Sequence, residues 1–444
     1  MKALVMKSGP RVATAALVAL LSCCAIAARA APVDAPELAV PGPHAVGVMK
    51  LEVDVGTVPA LDGAAPVQRQ IAGWLWYPSA GARSAQREWS VDIRGHAWRP
   101  LPTSPMRVVV PSVATPDAAL QPGAPLPVVL LSHGLLNWAP ALNDLAEHLA
   151  SRGYAVLGLE HADETATNPL AAALLLRPLD QSGALRTLQR LDSTPGHSLH
   201  QRLALERVAV VGYSMGAYGA LVSAGARAGV DGAAFGMVPG GALARHARPM
   251  QPADEQARAR IAAVVAIAPW GGQAGVGALK PAGLSAVTAP VLLMVGDQDD
   301  ISGYADGVRS LWDHLPATPR WLLVYENARH NIALNGAPVN LQGSFAAWTN
   351  FEEPVWRRDR ILEINRHFVT AFLDLTLLGK TERALYLNPA VPRANDGAWP
   401  EPFGTPASGR FAGAPQDPIT HWAGFQRRWA LGLRLEHKPA AARP

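Results

Sequence analysis

Cysteine is almost absent from this chain: there are two, Cys23 and Cys24, and both lie close to its start. A protein cut after Ala30 would therefore hold no disulfide, no cysteine nucleophile and no thiolate metal site, and would depend on its core for stability. Charge is also scarce, at 17% of residues, below the usual quarter. No Lys/Arg run occurs. The 39 basic residues exceed the 35 acidic ones only because Lys2, Lys7, Arg11 and Arg29 fall in the first thirty positions, where there is no acid. A nucleic-acid partner needs clustered cations to neutralise phosphate, so this balance argues against one. Low complexity is missing too, since 40 Gly and 39 Pro make up under a fifth of 444 residues. What the chain does have is apolar material, at 49%, enough for a large core and far from the disordered classes.

The first thirty residues account for their own composition. Three cations precede an apolar stretch at 12–28, and Ala28-Arg29-Ala30 forms a small-x-small site before Ala31. This pattern predicts a secretory signal peptide over residues 1–30 and a periplasmic or secreted protein with no transmembrane span once cut. A membrane anchor is the alternative, but seventeen residues is the lower limit for a span and no stop-transfer flank follows. Leu20-Leu21-Ser22-Cys23 also faintly resembles a lipoprotein attachment site, with an awkward Leu at its second place.

Short apolar runs rich in Val, Ile and Leu recur at 128–132, 155–160, 208–212, 263–268, 291–295 and 322–325. Runs that are apolar at every position belong to strands covered on both faces, as in a parallel sheet. Helix-like stretches at 139–152 and 217–228 alternate with them, which predicts an α/β fold with a doubly wound, mostly parallel sheet. Upstream, 46–55 and 71–77 show partial alternation and read as antiparallel edge strands. One domain is expected over 42–380, with a C-terminal extension over 381–444. That extension carries Trp399, Phe403, Trp422, Phe425 and Trp429, too many large apolar groups to leave in water, so it is expected to wrap the domain.

The chemistry gathers after the third of these runs. Gly212-Tyr213-Ser214-Met215-Gly216 fits G-x-S-x-G, with a strand before it and a small-residue helix after it. A serine on such a strand-to-helix turn is strained and points out of the sheet, and the flanking glycines remove Cβ atoms that would collide. Its hydroxyl needs a base, and the base an orienting acid, expected in the order Ser, Asp, His at strand ends. His330, in the loop after 322–325, is the expected base. Gly296-Asp297-Gln298-Asp299-Asp300 follows 291–295, and G-x-x-D spacing favours Asp299, with Asp297 next and Asp300 last. The other two are expected to cap the following turn or helix.

Ser132-His133-Gly134-Leu135 follows the run at 128–131, where Gly lets the chain turn so that the next N–H faces the cavity. The backbone N–H groups of Leu135 and Met215 are therefore the expected oxyanion donors. His133 reads as a residue that holds this loop rather than a base, and His161-Ala162-Asp163-Glu164 as loop structure or pocket rim, because a metal site would want a second His. Leu136, Trp138 and Trp270, with Leu135 and Met215, are expected to approach Ser214 and form an apolar acyl or alcohol site. Trp270 packing under the following loop is the competing reading. No metal and no cofactor is called for.

These motifs resemble the platelet-activating-factor acetylhydrolase and dienelactone-hydrolase-like branch of the α/β-hydrolases, especially secreted bacterial members. The similarity runs from Gly42-Pro43-His44-Ala45-Val46-Gly47 and Leu75-Trp76-Tyr77-Pro78, through Leu131-Ser132-His133-Gly134-Leu135, Leu149-Ala150-Ser151-Arg152-Gly153-Tyr154 and Leu159-Glu160-His161, to the serine motif, His330 and a helix at 368–378. The resemblance implies an α/β-hydrolase fold and hydrolysis of carboxylic esters by Ser214, His330 and an acid, with Leu135 and Met215 N–H groups at the oxyanion. One departure matters. Where the animal acetylhydrolases carry their acid, this chain has Ile267-Ala268-Pro269-Trp270, so the acid must come from the next strand. This favours Asp299 and makes platelet-activating factor a poor substrate candidate.

The expected function is a serine carboxylic-ester hydrolase acting on small or single-chain apolar esters. Two alternatives are a polyester or cutinase-like hydrolase and a catalytically silent hydrolase fold used for binding. The leucine-rich stretch at 162–206 is expected to give the site partial cover, which favours the small esters.

Overall fold

The computed structural model describes residues 32–61, 63–93, 96, 106–315, 318–398 and 419–440. The expected signal peptide and its cysteines, and Trp399 and Phe403 of the tail, lie outside the described residues.

All six apolar runs are strands of one sheet. They are β6 (Leu126–Ser132), β7 (Ala155–Leu159), β8 (Leu203–Tyr213), β9 (Ile261–Ile267), β10 (Val291–Gly296) and β11 (Arg320–Tyr325), parallel to their neighbours in the order β11-β10-β9-β8-β6-β7. Side chains alternate between faces along each strand, and both faces are covered. Val128 and Leu130, for example, pack into one core layer while Val129 and Leu131 pack into the other. This double burial is why the runs show no polar alternation.

The sheet continues with β2 (Val67–Ser79) antiparallel to β7, and β1 (Ala45–Val58) antiparallel to β2, with the two-residue β5 (Thr115–Pro116) at that edge. Strands β3 (Arg87–Ile93) and β4 (Met106–Ser112) form a separate two-stranded antiparallel sheet, outside the strands expected from the sequence. At the opposite edge the C-terminal extension supplies β12 (Leu433–Lys438), antiparallel to β11. The extension thus completes the sheet as well as covering it. Trp422 and Phe425 are buried against Phe368 of helix Arg358–Thr376, whereas Trp429 stays 39% exposed with the Arg360 guanidinium over its ring.

Three helices position the site. Helix α1 (Asn143–Ser151) follows β6 after a 3-10 turn at Ala139–Leu142. Helix α2 (Pro169–Ser193) starts at Asn168, whose side chain accepts the Ala171 N–H, and α3 (Met215–Ser223) follows β8. The run expected to cover the site is α2 itself. Its Leu174, Leu175, Leu176 and Leu179 are buried in the core layer shared with β1 and α3, so it is a core helix and not a lid. Every residue from 171 to 185 is buried, so the helix is enclosed on all sides, which a surface excursion would not supply. Among the described residues no helix is long and apolar enough to cross a membrane.

Candidate active site

From β6 the chain runs to β7 on one side and then to β8 on the other, so the sheet changes direction between β6 and β8. Ligand crevices of open α/β sheets lie at the carboxyl ends of strands at such a point. The register fixes what gathers there. Ser132 pairs with Gly212, Tyr213 with Ile267, and Gly296 with Tyr325, which aligns the loops after β6, β8, β10 and β11 along one edge.

Ser214 sits between β8 and α3 with φ 54° and ψ −116°. Such a backbone costs a non-glycine residue on the order of 1–3 kcal/mol and persists only if its surroundings over-determine it. Here the Ser214 N–H donates to Ile267 O at 2.8 Å, and its carbonyl accepts from Ala217, Tyr218 and Trp270 N–H at 3.0, 3.1 and 3.3 Å. The two glycines are sterically required. A Cβ on Gly212 would overlap the Gly216 backbone, and one on Gly216 would overlap the carbonyls of Ser132 and His133.

His330 Nε2 lies 3.0 Å from Ser214 Oγ, and its Nδ1 lies 3.0 and 2.9 Å from the two Asp299 carboxylate oxygens. Ser214, His330 and Asp299, brought together from three loops, form one hydrogen-bonded chain. Asp299 Oδ1 also accepts the Ile301 and Ser302 N–H groups at 2.9 and 2.8 Å. Burial alone would raise the Asp299 carboxyl, but the hydrogen bond and charge of His330, with those two N–H groups, hold it below the ordinary carboxylate range. The Tyr213 ring, from the residue just before the serine, packs 5.2 Å from the imidazole. Asp297 instead accepts the Asn327 N–H at 2.6 Å and caps the turn after β11, while Asp300 pairs with Arg329 at 2.5 Å in the half-exposed rim.

The loop after β6 is held from behind. His133 Nδ1 donates to Gly134 O at 2.7 Å and its Nε2 accepts the His161 N–H at 3.3 Å; burial pushes its pKa well below the usual value, so it stays neutral and holds the loop. His161 donates from Nδ1 to Asp180 at 2.8 Å and accepts the Ser132 hydroxyl at Nε2, 2.7 Å, and Asp180 pairs with Arg69 at 2.6 Å. Asp163 pairs with the fully buried Arg177 and accepts the Leu136 N–H at 3.2 Å. Arg177 went unnoticed in the sequence. Its signal was available, since it is the one charged residue between Pro169 and Leu179, in an apolar helix.

Among the described residues neither the Leu135 nor the Met215 N–H meets a protein acceptor. The expected pocket residues separate. Trp270 is partly buried and its backbone touches Ser214. Trp138, by contrast, is a core residue, 5% exposed, its ring edge-on to Phe351 at 5.6 Å. Leu136 is also buried, at 7% exposure, on a backbone with φ 58°. Both lie at or after the turn that the Asn137 N–H closes on the Gly134 carbonyl at 3.1 Å, just before the 3-10 turn at Ala139–Leu142.

Residues 119–248, under a third of the chain, match the family described as PETase: PET hydrolase-like. With the strand order above, this settles the architecture. The fold is that of the α/β-hydrolases. The matched span holds the 132–135 loop and Ser214 but neither Asp299 nor His330. The match points to the α/β-hydrolase superfamily and does not confirm the acetylhydrolase and dienelactone-hydrolase-like branch that the motifs resemble. No curated protein matches the chain.

Proposed function

We propose that the protein is a serine carboxylic-ester hydrolase. The observation that carries the reading is the unbroken hydrogen-bonded chain Ser214–His330–Asp299 at the crevice edge of the sheet. The partial match to a PET hydrolase-like family supports ester-bond hydrolysis as the general class of reaction. Ser214 Oγ attacks the ester carbonyl carbon while His330 Nε2 takes its proton, and Asp299 holds the imidazole in the tautomer with Nδ1–H. The tetrahedral oxyanion is met by the N–H groups of Leu135 and Met215. His330 then gives its proton to the leaving alcohol, which departs as the C–O bond breaks. Water, deprotonated by His330, attacks the acyl-serine ester, and release of the acid restores the serine hydroxyl.

With no lid formed by α2, the preference for small or single-chain esters rests on the partly buried side chains of Leu135 and Trp270, while that of Met215 is packed in the core. Polyester hydrolysis is the second reading, prompted by the description of the matching family. The lead segment at 1–30 supports export to the periplasm or the medium. The test is turnover of a p-nitrophenyl ester series from acetate to palmitate, in parallel with release of soluble products from a polyester film, with Ser214→Ala as blank. Ester turnover absent from the blank is expected. Activity retained in Ser214→Ala would remove the serine from its role, and failure of a fluorophosphonate probe to label the wild type would favour a binding protein.

A further inference from the structure

Arg177 is a costly residue in its place. It is fully buried on α2, and replacing a buried ion pair with apolar side chains is often neutral or stabilising, so its presence is not explained by stability. What distinguishes it is where its donors go. One guanidinium nitrogen donates to His133 O; the other donates to Gly134 O at 3.1 Å and pairs with Asp163, which in turn accepts the Leu136 N–H. One cation and one carboxylate therefore fix three successive peptide units of the 133–136 loop.

The Gly134 carbonyl is the focus. It accepts from His133 Nδ1 at 2.7 Å, from the Asn137 N–H at 3.1 Å and from Arg177. That carbonyl and the Leu135 N–H are the two ends of one resonant amide. Donors on the oxygen draw density from the nitrogen and make its N–H a stronger donor, and a charged donor in a dry site does so most. We propose that Arg177 is a positioning residue for ester hydrolysis, orienting and polarising the Gly134–Leu135 peptide so that the Leu135 N–H binds the developing oxyanion. The inference rests on the functional reading above. The neighbouring Ser132–His161–Asp180 chain, although built from the same residue types as the site, is sealed at 0–1% exposure and serves as a buttress under the same loop.

The experiment compares wild type, Arg177→Lys and the double variant Arg177→Met/Asp163→Asn, which removes the cation without leaving its counter-charge buried. Each is assayed for folding by calorimetry, for kcat and KM on a p-nitrophenyl ester, and for preference between an ester and its thionoester, whose sulfur accepts hydrogen bonds poorly. Loss of a whole oxyanion donor costs about 10²–10³ in kcat, so weakening one is expected to cost the double variant about ten- to hundred-fold, with KM within about two-fold. Its preference for the oxygen ester should shrink, and Arg177→Lys should recover part of both effects. A folded double variant with wild-type kcat overturns the proposal, as does a fall in kcat with the oxygen preference intact. If the double variant does not fold, a fully wild-type Arg177→Lys overturns it, and a partial loss of kcat and preference in that variant supports it. Failure of the functional reading looks different: no Ser214-dependent turnover in the wild type, which removes both.

Discussion

Three aspartates within four residues do three different jobs, and only their hydrogen bonds tell them apart. Asp299 faces His330 with two backbone donors behind it, Asp297 caps the turn after β11, and Asp300 stays in the rim with Arg329. In Asp299→Asn the amide oxygen can keep the Ile301 and Ser302 N–H groups, which leaves the amide N–H₂ facing Nδ1 and forces the wrong imidazole tautomer. Turnover is expected to fall by about 10⁴, with the fold retained. Asp297→Asn should cost far less, since its side-chain oxygen can still accept from Asn327. Steady-state kinetics of the two variants decide the matter, and the reverse ranking would move the acid role to Asp297.

At the scale of elements, β12 is where the C-terminal extension becomes part of the sheet. It adds Leu433 and Leu435 to the core and pairs along the whole of β11, and its His437 ring stacks 4.5 Å from Trp321. With Trp422 and Phe425, four large buried side chains come from residues beyond 418, each worth about 1.5–3 kcal/mol on burial. A chain ended after residue 418 should therefore melt more than about 5 °C lower, expose β11 as a free apolar edge and aggregate on warming. Per folded molecule its esterase turnover should survive, because β12 contributes nothing to the Ser214–His330–Asp299 chain. An unchanged melting temperature would make β12 an accessory.

For the whole molecule, burial sets the response to acid. It lowers the pKa of His133, His148 and His161 well below the usual value, of His246 to about 4 and of His367 to about 3. The unfolded chain protonates such residues below about 6.5 while the folded protein does not, so stability is lost as pH falls from there. Burial also raises Glu147, Glu160 and Glu363 to about 7. These act with the opposite sign: the folded protein keeps protons that the unfolded chain releases above about 4.3, and the stability they contribute is lost as pH rises towards 7. Five histidines outweigh three carboxyls between pH 5 and 6.5. The urea midpoint should be higher at pH 6.5 than at pH 5, and the opposite order would mean that the carboxyls dominate.

The sequence by itself determined the parallel sheet and the serine motif, because both are local. A strand buried on two faces must be apolar at each position, as at Val208–Val211, and a strained strand-to-helix turn must have small residues at Gly212 and Gly216. It also narrowed the acid and base to a few residues, since those must follow strand ends. Other features depend on what lies across space. Helix α2 looked like a cover because its leucines have no visible partner in the sequence; β1 and α3 supply one. Trp138, four residues past Gly134, packs its ring on Phe351, a partner far along the chain that its own neighbours do not announce. The short pattern at Leu433–Lys438 becomes a strand only where the open edge of β11 offers unpaired N–H and C=O groups to meet it. Local stereochemistry writes motifs into the chain, whereas packing partners far apart in sequence are chosen only when the chain folds.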